Sequence, residues 1–125
     1  MKFISIFLLI FFVSATLSEE WVIKPGLNAQ DEIQEALILA EPGDKILLSK
    51  GTYDLNHGLS LDVNNISIIG EGMYETVLDF SEQETGAQGL LVTSDNVLMQ
   101  DFAIENAKGD AIKSKGVKNL SLIHI

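Results

Sequence analysis

Four of the eight lysines in this chain, Lys108, Lys113, Lys115 and Lys118, fall within the eleven residues KGDAIKSKGVK, with Asp110 among them. The chain as a whole has a formal charge of −10 and contains no arginine. A local run of ammonium groups in so acidic a protein is a positive feature that can meet the carboxylates of an acidic ligand such as a uronate. The same residues also suit a solvated turn whose lysines guard strand edges against unwanted pairing. Both readings stay open on the residues alone. Lys108, Asp110, Lys113 and Lys115 are the candidate ligand contacts.

Little else could do chemistry. The zinc-hydrolase helix motif, the EF-hand loop, the nucleophile elbow and calcium-binding glycine-aspartate nonapeptides are absent. GEG at 70–72 is too short for a phosphate loop. His57, beside Gly58, reads as a solvated loop residue. With no cysteine there are no disulfides and no thiolate metal sites. No residue is assigned to a metal, no cofactor is evident, and no catalytic residue can be named. The negative charge argues against nucleic acid as a partner, because phosphate binding needs a dense positive surface.

These residues are preceded by a targeting signal. In MKFISIFLLIFFVSATLS one lysine precedes an apolar run over 3–13, and small residues Ser14, Ala15 and Ser18 follow. A run of eleven residues, ten of them apolar, is too short for a bilayer, which takes about 20. The order predicts a secretory signal peptide over 1–18, cleaved after Ala15 or Ser18, with no membrane span afterwards and a periplasmic or extracellular destination.

The elements that must position the lysines come next. GLNAQDEIQEALILAEPGD predicts one helix over about 29–41. Asn28 is expected to cap it by accepting from the N–H of Asp31. Ile33, Ala36, Leu37 and Ala40 form one apolar stripe, and Pro42-Gly43 ends the helix. Beyond it lie short apolar runs: a strand over 45–49, a turn at Gly51, an alternating strand over 59–63, then ISII, TVLDF, GLLVT, NVLMQ, FAIEN and DAIKS. Asparagine marks a repeat. Asn65, Asn96 and Asn119 each stand just ahead of an apolar strand, spaced 31 and 23 residues apart. A period in the low twenties with three short strands suits one turn of a parallel β-helix, in which stacked turns bury together what none buries alone. Asparagine at such a corner tolerates left-handed backbone and can bond to the asparagine above it.

The run IQEALILAEPGDKILLSKGTYDL resembles the N-terminal capping region of secreted right-handed parallel β-helix proteins of the pectin-lyase-like type, and ISIIGEG resembles their first full coil. The resemblance covers residues 23–119 and is nearest to exported bacterial β-helix repeat proteins without an assigned activity. It implies an all-β fold, a right-handed parallel β-helix with one N-terminal capping helix: cap and first strand over 19–58, coils over 59–119. Relatives of this type include pectate lyases, alginate-modifying enzymes and a maturation protein for nitrous oxide reductase. The resemblance therefore implies binding or processing of acidic polysaccharide, or else a non-catalytic periplasmic scaffold that contacts another exported protein. Lyase or epimerase activity, and calcium, stay open for a longer protein.

The closing residues LSLIHI, 120–125, lie inside an apparent strand. The codons CTG TCT CTT ATA CAC ATC encode that string and match a transposon end used in preparing sequencing libraries. The expectation is adapter read-through, a β-helix truncated at its C-terminus, and no role for His124.

Overall fold

The computed structural model describes residues 17–125, so the expected leader lies outside the described residues except for its last two positions. The described chain is mostly strand, with one helix and three sheets that are parallel throughout. Its strands are β1 (Glu20–Ile23), β2 (Lys45–Leu48), β3 (Gly51–Asp54), β4 (His57–Leu61), β5 (Ser67–Ile69), β6 (Thr76–Asp79), β7 (Thr85–Val92), β8 (Val97–Gln100), β9 (Ala103–Glu105), β10 (Ile112–Ser114) and β11 (Leu120–Ile123). The helix α1 spans Ala29–Leu39.

The strand order shows how the chain winds. One sheet runs β1-β2-β5-β8-β11, a second β3-β6-β9 and a third β10-β7-β4. From β2 onward the chain therefore visits the five-stranded sheet, the β3 sheet and the β4 sheet in that order, three times, and returns to the first with β11. Register is kept from turn to turn. Lys45, Ser67, Leu98 and Ser121 stand side by side, spaced 22, 31 and 23 residues apart. Extra residues in the longer turn lie in the connections flanking β6 and within β7 itself, whose register against β4 shifts between His57 and Leu59.

The period-2 alternation of each strand sends every second residue inward. Ile46, Ile68 and Met99 stack in the five-stranded sheet, Tyr53 and Leu78 in the β3 sheet, and Leu59 with Leu90 and Leu61 with Val92 in the β4 sheet, all of them buried. Leu55, Phe80 and Phe102 are buried between strands. Each such side chain stabilises the stack by about 1.5–3 kcal/mol relative to exposure, which is why runs too short to stand alone hold together here.

Helix α1 lays its stripe on this core. Ile33, Ala36, Leu37 and Ala40 are buried, as is Ala29. Its N-terminus differs from expectation. Asn28 sits at φ −100°, ψ 9° and makes no side-chain cap bond; its carbonyl accepts from Glu32 N at 2.9 Å instead. That backbone lies outside the β region from which a capping side chain reaches back over the first turn. Asp31 and Glu32 still place negative charge where the helix dipole favours it. The helix ends at Leu39, not 41, with Ala40 already extended (ψ 144°).

Two further elements differ. The segment Glu20–Ile23 is strand β1, paired in parallel with β2. Gly51 is not a turn but the first residue of β3, at φ +133°, and the Cγ of Pro25 lies 2.5 Å from where a β-carbon would stand.

Among the described residues the buried polar side chains are tied down with one exception. The Asp44 carboxylate accepts from Glu19 N (2.8 Å), Glu41 N (2.9 Å) and Trp21 Nε1 (3.1 Å), joining β1, the helix end and β2. The backbone donor of Glu19, then that of Glu41, holds its pKa below the usual aspartate value. Tyr53 places its hydroxyl 2.7 Å from Ser49 O and 2.9 Å from Ile23 O, and burial pushes its pKa up to about 12. Ser94 Oγ is buried without a partner.

Candidate functional site

The lysine-rich segment surrounds β10, the last strand of the β4 sheet. Lys108 and Asp110 lie in the connection from β9, Lys113 is the middle residue of β10, and Lys115 and Lys118 lie between β10 and β11. Alternation puts Ile112 against the core and turns Lys113 outward, in register with Leu91. Beyond Leu91 on the same face stands Ser60. The lysines thus share one turn of the chain and do not form a ladder along the stack.

Their backbone is fixed while their side chains are free. Lys115 N donates to Val92 O at 3.0 Å, Lys118 N donates to Asp95 Oδ1 at 2.9 Å, and Gly109 N donates to Ala87 O at 2.6 Å. Lys108 N points at Gln83 Oε1 across 3.4 Å, and the buried Gln83 amide also donates to Thr85 O and Gln88 O at 3.1 Å each. All four lysine side chains and Asp110 are exposed. Among the described residues the single contact within 4 Å between a basic and an acidic side chain is His124 Nδ1 with Asp101 Oδ1, at 3.0 Å. The four ammonium groups are therefore free to meet an outside anion.

Carboxylates gather on a different sheet. Asp54, Asp79 and Glu105 occupy one register row across β3, β6 and β9. Asp79 accepts from Asn106 Nδ2 (3.0 Å) and Ser81 N (2.9 Å), and these bonds, Asn106 first, hold its pKa low. Near this sheet and α1 is an open cavity of about 400 Å³, lined by Asp31, Asp54, His57, Glu82 and Glu84 among others. His57 opens β4 and holds its Nδ1 2.8 Å from Thr85 Oγ1. Among the described residues no group of three such side chains is arranged to hold a metal ion.

The asparagines share one corner. Asn65, Asn96 and Asn119 have φ of 60°, 58° and 61°, and Asn119 Nδ2 donates to Asn96 Oδ1 at 2.8 Å. Between Asn65 and Asn96 the side-chain link shifts by one residue: Asn64 Oδ1 accepts from Asp95 N at 2.8 Å. Gly43 belongs to the same column. It stands two residues before Lys45 as Asn65 stands before Ser67, has φ +101°, and donates its N–H to Asn65 O at 2.7 Å.

Sequence reasoning missed Gln30 and Gln34. Gln30 Oε1 accepts from Asn56 N and His57 N at 3.1 and 3.2 Å. The Gln34 amide accepts from Ser60 N at 3.0 Å and donates to Ser60 O at 3.1 Å, so it pairs with β4 as a neighbouring strand would. Glutamines four apart on one helix face were the available signal.

No known family model matches the chain, and neither a curated protein nor a solved structure is significantly similar to it.

Proposed function

We propose that the protein is an exported right-handed parallel β-helix whose lysine-bearing turn binds acidic polysaccharide outside the cytoplasm. One observation carries this reading: four exposed lysines without carboxylate partners crowd around β10 in a chain of net charge −10. The recurrent order of three parallel sheets supports the β-helix, because successive turns of that fold stack strand on strand. The stacked strands hold the backbone of the lysine-bearing turn fixed at the last strand of the β4 sheet. Lys113 faces outward on β10, Lys115 follows that strand, and Lys108 and Lys118 flank them in sequence, all four exposed. The contact is electrostatic, so it weakens as salt shortens the Debye length. No bond-making role is assigned to any residue. No helix among the described residues is long and apolar enough to cross a membrane.

The test is binding of polygalacturonate and alginate, against neutral dextran, at low and moderate ionic strength. The uronates are expected to bind and dextran not to. Lys113→Glu with Lys115→Glu should weaken uronate binding about ten-fold or more, corresponding to roughly 1.4 kcal/mol. Equal binding of dextran, or no effect of the double substitution, sinks the reading. Export is checked by the intact mass of protein recovered from the cell envelope or medium; a mass that retains the leader rules it out.

A further inference from the structure

The outward faces of the three sheets differ in chemistry. The β3 sheet presents the carboxylate row Asp54, Asp79 and Glu105. The β4 sheet presents Ser60, Leu91 and Lys113. The five-stranded sheet is aliphatic: Val22, Leu47 and Ile69 stand in one register row, which continues through Gln100 to Ile123. Val22 is 59% exposed and Ile123 40%. A groove of about 310 Å³ runs along this face, lined by Val22, Leu47, Ile69 and Glu71 among others.

The neighbouring row decides what fits the groove. It begins with Glu20 and Lys45, in register on adjacent strands and both exposed. Among the described residues neither has an opposite charge within 4 Å. One charge of each sign beside an aliphatic row is what a surface needs in order to bind a copy of itself. The other two faces fail that requirement, since a carboxylate row or a lysine cluster repels its own copy.

We propose that the outward face of β1 and β2, at the edge of the five-stranded sheet, is a contact between two copies of this chain, related by a two-fold axis that runs along the strands between β1 and β2. Such an axis inverts the order of strands and keeps the position along each strand. Glu20 of one copy then faces Lys45 of the other, and Val22 faces Leu47, each pair occurring twice. Two sheets packed face to face lie about 10 Å apart, a gap that outward aliphatic side chains fill.

The experiment is analytical ultracentrifugation of the purified protein over a wide concentration range. The native chain is expected to show a reversible monomer–dimer equilibrium. Lys45→Glu places carboxylate against carboxylate and should weaken the dimer about ten-fold or more. Glu20→Lys should do the same, and the double exchange Glu20→Lys with Lys45→Glu should restore association. All these positions are exposed, so the variants keep the fold, which circular dichroism checks. A native chain that stays monomeric overturns the proposal, whether or not it binds glycans or vesicles. So does association that Lys45→Glu leaves unchanged, as contact through the edges of β9, β10 and β11 would be. Failure of the double exchange to restore what the single ones remove overturns it as well.

Discussion

At the end of the stack that begins with β1, each sheet is closed by a different device. β1 itself supplies the five-stranded sheet with one more strand. The side chains of Gln30 and Gln34 answer the backbone of β4. Pro25 lies over Gly51 at the edge of β3. At the opposite end, β9, β10 and β11 are the last strands of their sheets, and no described residue covers them. Burial follows the same division. Ile46, Tyr53 and Leu59 are 0–2% exposed, whereas Ile104, Ile112 and Leu120 are only partly buried and Leu122 is 49% exposed. The stacking of turns is the same at both ends; what differs is whether the outermost backbone groups and side chains find partners. Stability should therefore be graded along the stack, highest near α1.

The largest effect should come from putting the same charge into each end. Leu37→Asp, at a position 1% exposed beneath α1, is expected to cost more than 3 kcal/mol, because hydrophobic burial is lost and a charge is buried unpaired. Leu122→Asp should cost under about 1 kcal/mol, since that side chain keeps its water. Urea unfolding of the two variants side by side measures the contrast, and equal losses would erase it.

Gly51→Ala comes next. Its φ of +133° and the nearness of Pro25 leave no room for a methyl group, so a loss of about 2–3 kcal/mol is expected. A loss below that of an exposed alanine substitution would mean that residues 24–28 move aside, and would remove Pro25 as the closure of β3.

Gln34→Ala should cost about 1–2 kcal/mol, because it removes two hydrogen bonds that hold the helix to the edge of β4 at Ser60. Hydrogen exchange at the Ser60 amide should accelerate with it, while the amides of β10 are unchanged. An unchanged Ser60 amide would show that the helix covers β4 by packing alone.

The smallest effects belong to the corners. Asn96→Ala should cost about 1 kcal/mol and Asn96→Gly less, since φ 58° is strained for alanine and open to glycine. The same pair at Asn119, nearer the uncovered end, should cost less again.

How legible this was depended on how local the cause is. The stripe Ile33, Ala36, Leu37 and Ala40 is a property of one segment, and its period shows it directly. The left-handed corners at Asn65, Asn96 and Asn119 were legible because asparagine is one of few residues that tolerates them. Gly43 escaped, because glycine meets the same need under a different letter. β1 escaped because four residues, EWVI, carry no turn signal of their own and are strand only through β2. The Asn28 cap was expected from residue type, yet the chain arriving from Gly26 sets a backbone angle that residue type does not reveal. For the candidate site, the crowding of lysines was readable along the chain. Their freedom from carboxylates was not, because it depends on Asp54, Asp79 and Glu105 being gathered on another sheet.

The corner column of Gly43, Asn65, Asn96 and Asn119 has a consequence for heredity. Each member turns the chain with a positive φ at the same place, near 60° at the three asparagines and 101° at Gly43, so a segment running from one asparagine to the next begins and ends in matching geometry. A gene encoding such a protein can lengthen or shorten by whole turns through unequal recombination, and the product keeps its register on either side of the junction. Growth in steps of about one repeat is then the mutational path that suits this architecture, and shorter insertions are expected where the spacing already departs from it, in the connections that flank β6 and within β7.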